Sequence, residues 1–201
     1  MKRRILFIYF DLGGVVFNWK NSLIQLAKIN KKPLEDFLLV FRKYDDSVCR
    51  GNISPQDLWN KYKEELALTT DIDNFIDWWT DYFIPYDKVH ELINHLSQKY
   101  KIGIITNNYQ GTFEQMLSKG HVPKISYTTV IQSHKLGLLK PESKIFHHAL
   151  KKARVSPKEL LLIDDSTQNV EKAKLLGWNT ILFDEGNLVE SIVEINKILN
   201  N

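Results

Sequence analysis

The sequence predicts an α/β protein, built as a doubly wound parallel sheet with an all-helical segment inserted after the first strand. Two observations support this. From residue 89 onward, short apolar and β-branched runs alternate with amphipathic helical patterns, as in parallel sheets that helices cover on both faces. Between residues 16 and 84 only helical patterns follow one another. This segment is therefore predicted to lie outside the sheet.

The strands are predicted from short runs that are rich in Ile, Leu, Val and Phe. They lie at residues 4–10, 101–106, 160–164 and 180–184, with a further strand around residues 125–131. Helices are predicted where apolar residues recur at helical spacing, which gives residues 89–100, 144–153 and 166–176. Gly177 suits the end of the last of these helices.

The inserted segment contains four helical patterns, which begin at "NSLIQLAKI", "PLEDFLLVFRKY", "SPQDLWNKY" and "NFIDWWTDYF". Ser54 and Asp57 stand at the spacing of a capping box, which marks the start of the third helix. Trp59, Trp78 and Trp79 are expected to pack in a small core of this segment. We therefore predict a core domain of residues 1–15 and 85–201 and a helical domain of residues 16–84.

Composition and charge exclude several classes of function. The chain has 201 residues and a net charge of +3 without a basic block, which argues against nucleic-acid binding. Cys49 is the only cysteine, as is usual in a reducing compartment. The apolar run of residues 5–10 is too short for a signal peptide or a membrane span. We expect a cytoplasmic protein without nucleic-acid or membrane partners, either a monomer or a homodimer.

Reactive side chains stand where the predicted strands end. Asp11 follows the first strand, Thr106 ends the second, and Asp164 and Asp165 end the run "LLLI". Lys140 lies just before a predicted helix. Each of these residues could have an ordinary structural role, as a helix cap or a solvated lysine. Because ligands bind beyond the carboxyl ends of parallel strands, their order along one sheet predicts a single site.

The ordered series Asp…Thr-Asn…Lys-Pro…Asp-Asp resembles the haloacid dehalogenase-like hydrolase superfamily over essentially the whole chain. The resemblance implies a Rossmann-like core with an all-helical cap, and hydrolysis of phosphate monoesters through an aspartyl-phosphate. It implies that Asp11 is the nucleophile and that Thr106 and the backbone of Asn107 hold the phosphoryl oxygens. Lys140 would neutralise charge on the nucleophile and the phosphate, and Asn169 would steady Lys140.

The resemblance also implies a magnesium site. Asp165 would be the principal acidic ligand with Asp164 beside it, and Asp11 and the backbone oxygen of Gly13 would contribute as well. Such a cation would offset the repulsion between a carboxylate nucleophile and a phosphate dianion. Magnesium prefers oxygen ligands and keeps several waters, so two or three carboxylates are enough.

Gly13 departs from the usual first motif of the superfamily, Asp-x-Asp, in which the second acid is the general acid and base. Such proton transfer is typically worth about 10²- to 10⁴-fold in rate. Its loss is tolerated best by a good leaving group, such as the anomeric hydroxyl of a sugar 1-phosphate. A cap side chain or a water could also replace the acid.

The form "DLGGVV" followed by Asn18 and Trp19 resembles a helical-cap phosphatase branch of the superfamily. This branch includes bacterial α-D-glucose-1-phosphate phosphatases and is related to the phosphatase domain of soluble epoxide hydrolase.

The predicted function is therefore a magnesium-dependent phosphatase of a small phosphorylated metabolite, with a sugar phosphate favoured. Two alternatives stay open. The 2-haloacid dehalogenases of the superfamily also lack the second acid and need no metal, but they lack an acidic pair such as that of "IDDST". A non-catalytic protein that binds phosphorylated metabolites is the other alternative, and Gly13 is the feature that suggests it. Metal dependence separates the first two functions, and any turnover excludes the third.

Substrate specificity is expected to come from the helical segment. Arg50 is the first candidate for a contact with a substrate hydroxyl or charge, followed by Arg42, Lys43 and Tyr44. The connections at residues 17–20 and 84–87 are expected to act as hinges that let the cap close and exclude water.

Overall fold

A computed structural model describes residues 4–199. The two ends of the predicted core domain, residues 1–3 and 200–201, lie outside the described residues. In chain order the strands are β1 (Phe7–Phe10), β2 (Phe17–Asn18), β3 (Ile84–Pro85), β4 (Lys101–Thr106), β5 (Thr129–Gln132), β6 (Leu160–Asp164) and β7 (Asn179–Leu182). The helices are α1 (Lys20–Asn30), α2 (Leu34–Cys49), α3 (Pro55–Leu66), α4 (Phe75–Asp81), α5 (Asp87–Leu96), α6 (Thr112–Lys119), α7 (Ser133–Leu136), α8 (Ser143–Ala153), α9 (Thr167–Leu175) and α10 (Leu188–Leu199).

Five parallel strands form the main sheet, in the order β5-β4-β1-β6-β7. Strand β1 lies in the middle, where Phe7 is opposite Lys101 of β4 on one side and Leu160 of β6 on the other. All four residues of β1 are buried, as expected for a parallel strand that is covered on both faces. The predicted doubly wound sheet is confirmed, and the run around residues 125–131 contributes β5.

The two faces of the sheet are packed by two separate clusters of apolar side chains. Because successive residues of a strand point to opposite faces, Tyr9 packs in one cluster with Phe146 and Trp178, while Phe10 packs in the other with the aromatic residues of the inserted helices. The core of the insert is thus continuous with one face of the sheet. Each fully buried side chain of this size stabilises the fold by about 1.5–3 kcal/mol.

The strand ends differ slightly from the prediction. Strand β1 begins three residues later than predicted, although the Leu6 amide still donates to the Glu159 carbonyl at 2.9 Å. Strand β7 ends at Leu182, two residues early, although the Phe183 amide still donates to the Asp164 carbonyl at 2.9 Å. Strand ends commonly differ by one or two residues, and the third residue at β1 is accounted for by this ladder hydrogen bond of Leu6 just before the strand.

Helices α1 to α4 form the insert between β1 and β4, as predicted. The sequence did not predict β2 and β3, because a two-residue strand leaves no detectable pattern. These strands pair antiparallel, with Phe17 opposite Pro85 and Asn18 opposite Ile84. The two connections to the insert therefore run side by side, at the residues that were expected to act as hinges.

The interior of the insert is aromatic. Trp59 is fully buried and stacks on Phe75, with ring centroids 5.8 Å apart. The predicted capping box is present at the start of α3: the Asp57 amide donates to Ser54 Oγ at 3.0 Å and the Ser54 amide donates to Asp57 Oδ2 at 3.0 Å. Among the described residues, no helix has the length and apolar character needed to cross a bilayer.

Candidate active site

The predicted site lies at the carboxyl ends of three neighbouring strands. Asp11 follows β1, Thr106 ends β4 and Asp164 ends β6. Because β4 and β6 flank β1 in the sheet, these residues come together at one edge, where open parallel sheets bind ligands. Lys140 reaches the same edge from the segment between α7 and α8.

Lys140 lies between two carboxylates. Its Nζ is 2.8 Å from Asp11 Oδ2 and 2.6 Å from Asp164 Oδ2, and its side chain is 1% exposed. Burial opposes the charged form of Lys140, but the two carboxylates outweigh this effect and raise its pKa. The lysine therefore stays protonated beside Asp11 at neutral pH.

The side chain of Asn107 fixes the position of Lys140 through its backbone. Asn107 Nδ2 donates to the Lys140 carbonyl oxygen at 3.0 Å, and the Lys140 amide donates to Asn107 Oδ1 at 2.9 Å. Because both ends of the side-chain amide are engaged, the backbone is the part of Asn107 that remains for a ligand. The hydroxyl-bearing Thr106 beside it is buried and also lines the cleft.

Asp164 is fully buried. Its Oδ1 accepts hydrogen bonds from Asn169 Nδ2 at 2.9 Å and from the Ser166 amide at 3.0 Å, while its Oδ2 accepts from Lys140. Asn169 and Lys140 therefore hydrogen-bond to the same carboxylate, that of Asp164. Asn169 orients the lysine only through this carboxylate.

Asp165 faces the cleft and packs against the backbone of Gly14. Gly14 has a φ of +79°, and a Cβ at this position would lie 2.1 Å from Asp165 Oδ2. The position thus requires glycine both for its left-handed backbone and for the approach of the carboxylate. Burial raises the pKa of Asp165 to about 6, and the charge of Asp164 adds to the effect.

Three acids form a group that fits a divalent cation. Asp11, Asp164 and Asp165 each offer one carboxylate oxygen within 4.8 Å of the others. Burial raises the pKa of Asp11 to about 7; Lys140 opposes this shift, whereas the neighbouring acids add to it. A cation would relieve the repulsion between the acids, and carboxylate oxygens are the ligands that magnesium prefers. The donor set is thus compatible with Mg²⁺.

Trp19 explains in structural terms why position 13 carries no acid. A Cβ at Gly13 would lie 2.7 Å from Trp19 Cδ1, well inside the 3.5–4.0 Å or so at which carbon atoms pack. Trp19 is in turn stacked on Phe41 of α2, with ring centroids 5.0 Å apart. The indole ring thus takes the space that a side chain at position 13 would need.

The site opens into a cleft of about 240 Å³ between the sheet edge and the insert. Asp11, Thr106, Asn107 and Asp165 line it on the core side. Most of the remaining wall is apolar or aromatic and includes Phe17, Trp19, Phe41, Trp79, Phe83 and Met116. Trp79 thus belongs both to the core of the insert, as predicted, and to the cleft.

Arg50 does not line this cleft, which corrects the expectation that it meets the substrate. Its Nη1 donates to the Gly137 carbonyl at 3.0 Å, and its Nη2 pairs with Glu142. The guanidinium group therefore links the insert to the core. The other three candidates contact glutamates on the surface of the insert: Arg42 contacts Glu35, and Lys43 and Tyr44 contact Glu65.

Three residues of α2 that were not predicted from the sequence also line the cleft: Phe41, Asp45 and Cys49. Their spacing of four places them on one face of the helix, a signal that was available in the sequence. Which face of α2 meets the core could not be deduced without the fold. Tyr109 contributes here as well, since its hydroxyl donates to Asp45 Oδ1 at 2.7 Å.

The fold and these contacts define the class of the protein: it is an α/β enzyme with an acidic site at the edge of a doubly wound sheet, beneath a helical insert. The profile of the haloacid dehalogenase-like hydrolases matches residues 8–183, and the chain belongs to this family.

Three relatives illustrate the similarity. A D-ribitol-5-phosphate phosphatase of Bacteroides thetaiotaomicron is 36% identical and covers 96% of this chain and 98% of its own length. A sesquiterpene phosphatase of Aspergillus oryzae is 25% identical over 84% of each chain. The fold is also similar to that in a crystal structure of a HAD family enzyme of Bacteroides thetaiotaomicron, which was solved in complex with magnesium and inorganic phosphate. The two structures superpose with a TM-score of 0.72 and share 22% sequence identity, and the match covers 90% of this chain and 96% of that one.

Proposed function

We propose that the protein is a magnesium-dependent phosphomonoester hydrolase that acts on a small phosphorylated metabolite, with Asp11 as the nucleophile. The observation that carries the proposal is the position of Asp11, which lies in ion-pair contact with buried Lys140 and within the group of acids that opens into the cleft. The named functions of two relatives, a ribitol-phosphate phosphatase and a sesquiterpene phosphatase, favour the same reaction class.

In the proposed reaction, an oxygen of Asp11 attacks the phosphorus and the P–O ester bond breaks, which forms an aspartyl-phosphate. The alkoxide leaves with the bonding electrons and takes a proton from water to become the alcohol. Water then attacks that phosphorus, which releases phosphate and restores the carboxylate. Lys140 offsets the negative charge of nucleophile and phosphate. The Thr106 hydroxyl and the Asn107 amide are the proposed donors to the phosphoryl oxygens.

Asp165, Asp11 and the backbone oxygen of Gly13 are the proposed magnesium ligands, because Asp164 is already engaged by Lys140, Asn169 and the Ser166 amide. Bound Mg²⁺ would supply positive charge at the transferring phosphoryl group. The magnesium and phosphate complex of the structural relative supports this choice of cation.

We also propose that residues 16–84 form the cap domain and that residues 1–15 and 85–201 form the core domain. The paired strands β2 and β3 would be the hinge between them. A cap that closes over the cleft would exclude water during the first step.

Dehalogenation of a 2-haloacid is the principal alternative, since it needs neither an acid at Gly13 nor a metal. The group of three carboxylates argues against it, because clustered acids repel one another and a site without a metal gains nothing from that repulsion. A protein that only binds phosphorylated metabolites would likewise not need the ion pair between Lys140 and Asp11.

The test is phosphate release from a panel of sugar phosphates, polyol phosphates and simple phosphomonoesters, with Mg²⁺ and with a chelator. Release that depends on magnesium and is abolished by Asp11→Asn supports the proposal. Chloride release from 2-chloropropionate without a metal would assign the dehalogenase reaction instead. A folded protein that binds Mg²⁺ but turns over none of these compounds would leave only the binding function.

A further inference from the structure

The cleft contains a carboxylate that the proposed reaction does not use. Asp45 lies on α2 of the insert and lines the cleft together with Asp11. Its Oδ1 accepts hydrogen bonds from the Tyr109 hydroxyl at 2.7 Å and from the Cys49 thiol at 3.7 Å. Within residues 4–199, its second oxygen, Oδ2, has no hydrogen-bond donor and no lysine or arginine pairs with it.

An acid in this position needs an explanation, because Asp45 is half-buried and the partial removal of a carboxylate from water without a cation beside it is unfavourable. Burial raises the pKa of Asp45, against the opposing effect of the hydrogen bond from Tyr109. Burial also raises the pKa values of the Cys49 thiol and the Tyr109 hydroxyl, so both neighbours are neutral donors. If Asp45 served only to link the insert to the core through Tyr109, a neutral acceptor would be enough. Such a link would also leave Asp45 Oδ2 without a role.

The surroundings of Asp45 suit a small organic group. Phe41 lies one turn earlier on the same face of α2, and the rings of Trp79 and Tyr109 have centroids 6.3 Å apart. Ligand pockets typically combine such apolar walls with a few polar groups that orient the ligand. The volume of about 240 Å³ is below the range of about 300–1,000 Å³ of pockets for drug-sized molecules. It therefore favours a metabolite of a few carbon atoms over a long hydrocarbon chain.

We propose that Asp45 determines substrate specificity by accepting hydrogen bonds from hydroxyl groups of the alcohol part of a small polyol or sugar phosphate. This inference rests on the proposed phosphatase function. Asp45 belongs to the insert, whereas Asp11 and Thr106 belong to the core wall of the cleft, so Asp45 meets the alcohol and not the phosphoryl group. Tyr109 holds Oδ1, and Oδ2 receives the substrate hydroxyl.

The physical basis of the selectivity is the unpaired oxygen. A site built to bind a hydroxyl rejects an analogue that lacks it, because the buried polar group of the protein is then left without a partner. The deoxygenated analogue of the same carbon skeleton is therefore the sharpest probe. We choose D-ribitol 5-phosphate and pentyl phosphate, which share five carbon atoms and a primary phosphate ester and differ in their hydroxyl groups.

The test compares kcat/KM for the two esters in the magnesium-loaded wild type and in three variants that melt at the wild-type temperature. Asp45→Leu is expected to lower kcat/KM for ribitol 5-phosphate by about 100-fold and to change that for pentyl phosphate by less than about threefold. Asp45→Asn keeps an acceptor oxygen and is expected to recover most of the loss. Tyr109→Phe, which releases Oδ1, is expected to lower the ribitol value by about 10-fold.

Equal losses for both esters in Asp45→Leu would overturn the inference, since they would indicate a structural role or proton donation to the leaving group. A wild-type preference for 5-aminopentyl phosphate over ribitol 5-phosphate would overturn it too, because Asp45 would then bind a cation. If the wild type releases phosphate from no ester, the proposed function fails by itself. In that case, calorimetry compares the affinity for ribitol 5-phosphate of the Asp11→Asn variant with that of the double variant Asp11→Asn and Asp45→Leu. Equal affinities would overturn the proposed role of Asp45, and a weaker affinity of the double variant would support it.

Discussion

Gly13 and Trp19 form one structural unit, in which the indole ring occupies the space beside a residue without a side chain. An aspartate at this position, the residue that the family usually carries there, would therefore require the indole ring to shift. This coupling makes a direct prediction about the two residues as a pair.

Gly13→Asp alone is expected to destabilise the protein by about 1–3 kcal/mol, the usual cost of overpacking. The melting temperature of a chain of this size would fall by roughly 2–4 °C for each kcal/mol. Gly13→Asp combined with Trp19→Ala is expected to melt close to Trp19→Ala alone, which is the matched control. Calorimetric melting of the wild type, the two single variants and the double variant checks this. A Gly13→Asp variant as stable as the wild type would show that Trp19 moves aside at little cost.

The pKa values of Asp11 and Asp165, about 7 and about 6, predict how the metal-free protein responds to pH. Both values are above the ordinary aspartate pKa of about 3.9, which means that the folded protein holds these protons more tightly than the unfolded chain does. The resulting contribution to the free energy of unfolding is fully present below about pH 3.9 and is lost as the pH rises through about 6–7. Magnesium must displace these protons. The rise in melting temperature on adding Mg²⁺ is therefore expected to be larger near pH 8 than near pH 5.

Asp165→Asn is the control for this experiment, because it removes one of the titrating carboxylates. We expect it to reduce the magnesium effect at the higher pH and to flatten the dependence on pH. An equal magnesium-induced shift at both pH values in the wild type would contradict the assignment of these acids to the cation site.

At the scale of secondary-structure elements, one lysine makes several polar contacts between α4 of the insert and α6 of the core. Lys119 of α6 has Nζ 2.9 Å from Asp77 Oδ1 and also pairs with Asp81. The same Nζ donates to the Asp77 carbonyl at 2.6 Å and to Thr80 Oγ1 at 3.1 Å. The lysine side chain is 19% exposed, whereas Asp77 and Asp81 are 49% and 55% exposed. Loss of the lysine would remove both ion pairs and both hydrogen bonds at once.

Lys119→Met is expected to loosen α4 from α6, which hydrogen exchange would detect as faster exchange of the amides of α4. Lys135→Met is the matched control, since Lys135 is 55% exposed and lies 3.5 Å from Glu114 in an ordinary surface pair. This control is expected to leave the exchange of α4 unchanged, because exposed pairs contribute about 0–1 kcal/mol. Equal effects of the two variants would show that Lys119 has no special role in joining the two elements.

At the scale of the whole molecule, polar contacts join the insert and the core at several points. Arg50 contacts Gly137 and Glu142, and Tyr109 contacts Asp45. Lys20, next to β2, pairs with Glu185 after β7. Together with the contacts of Lys119, these join the insert to the core at four points, so a movement of the insert would change them.

Binding of vanadate, a phosphate analogue, with Mg²⁺ is therefore expected to slow hydrogen exchange in α2 and α4, which contribute Phe41, Asp45 and Trp79 to the cleft. The physical reason is that a ligand which binds only the closed arrangement shifts the equilibrium toward it. Exchange in α10, which does not line the cleft, is the internal control. Unchanged exchange in α2 and α4 at saturating vanadate would show a rigid cap and contradict the hinge at β2 and β3.

Local patterns in the sequence predicted the strands of the main sheet, the helices of the insert and the chemistry that follows from strand order. Short apolar runs identified the parallel strands, and helical spacing identified the insert, whose third helix begins at the capping box of Ser54. Asp11, Thr106, Lys140 and Asp165 were predicted as one site because strand ends of a parallel sheet always meet at one edge.

The side chains that face one another across the cleft could not be predicted from the sequence, because their contacts depend on packing between distant segments. The rotation of α2 about its axis places Phe41 and Asp45 in the cleft. Arg50, which follows this helix, contacts Glu142 instead. Likewise, Asn169 bonds Asp164 and Trp19 fills the space at Gly13. Such contacts join residues far apart in the chain or depend on the rotation of a helix about its axis, and neither a local pattern nor residue spacing contains that information.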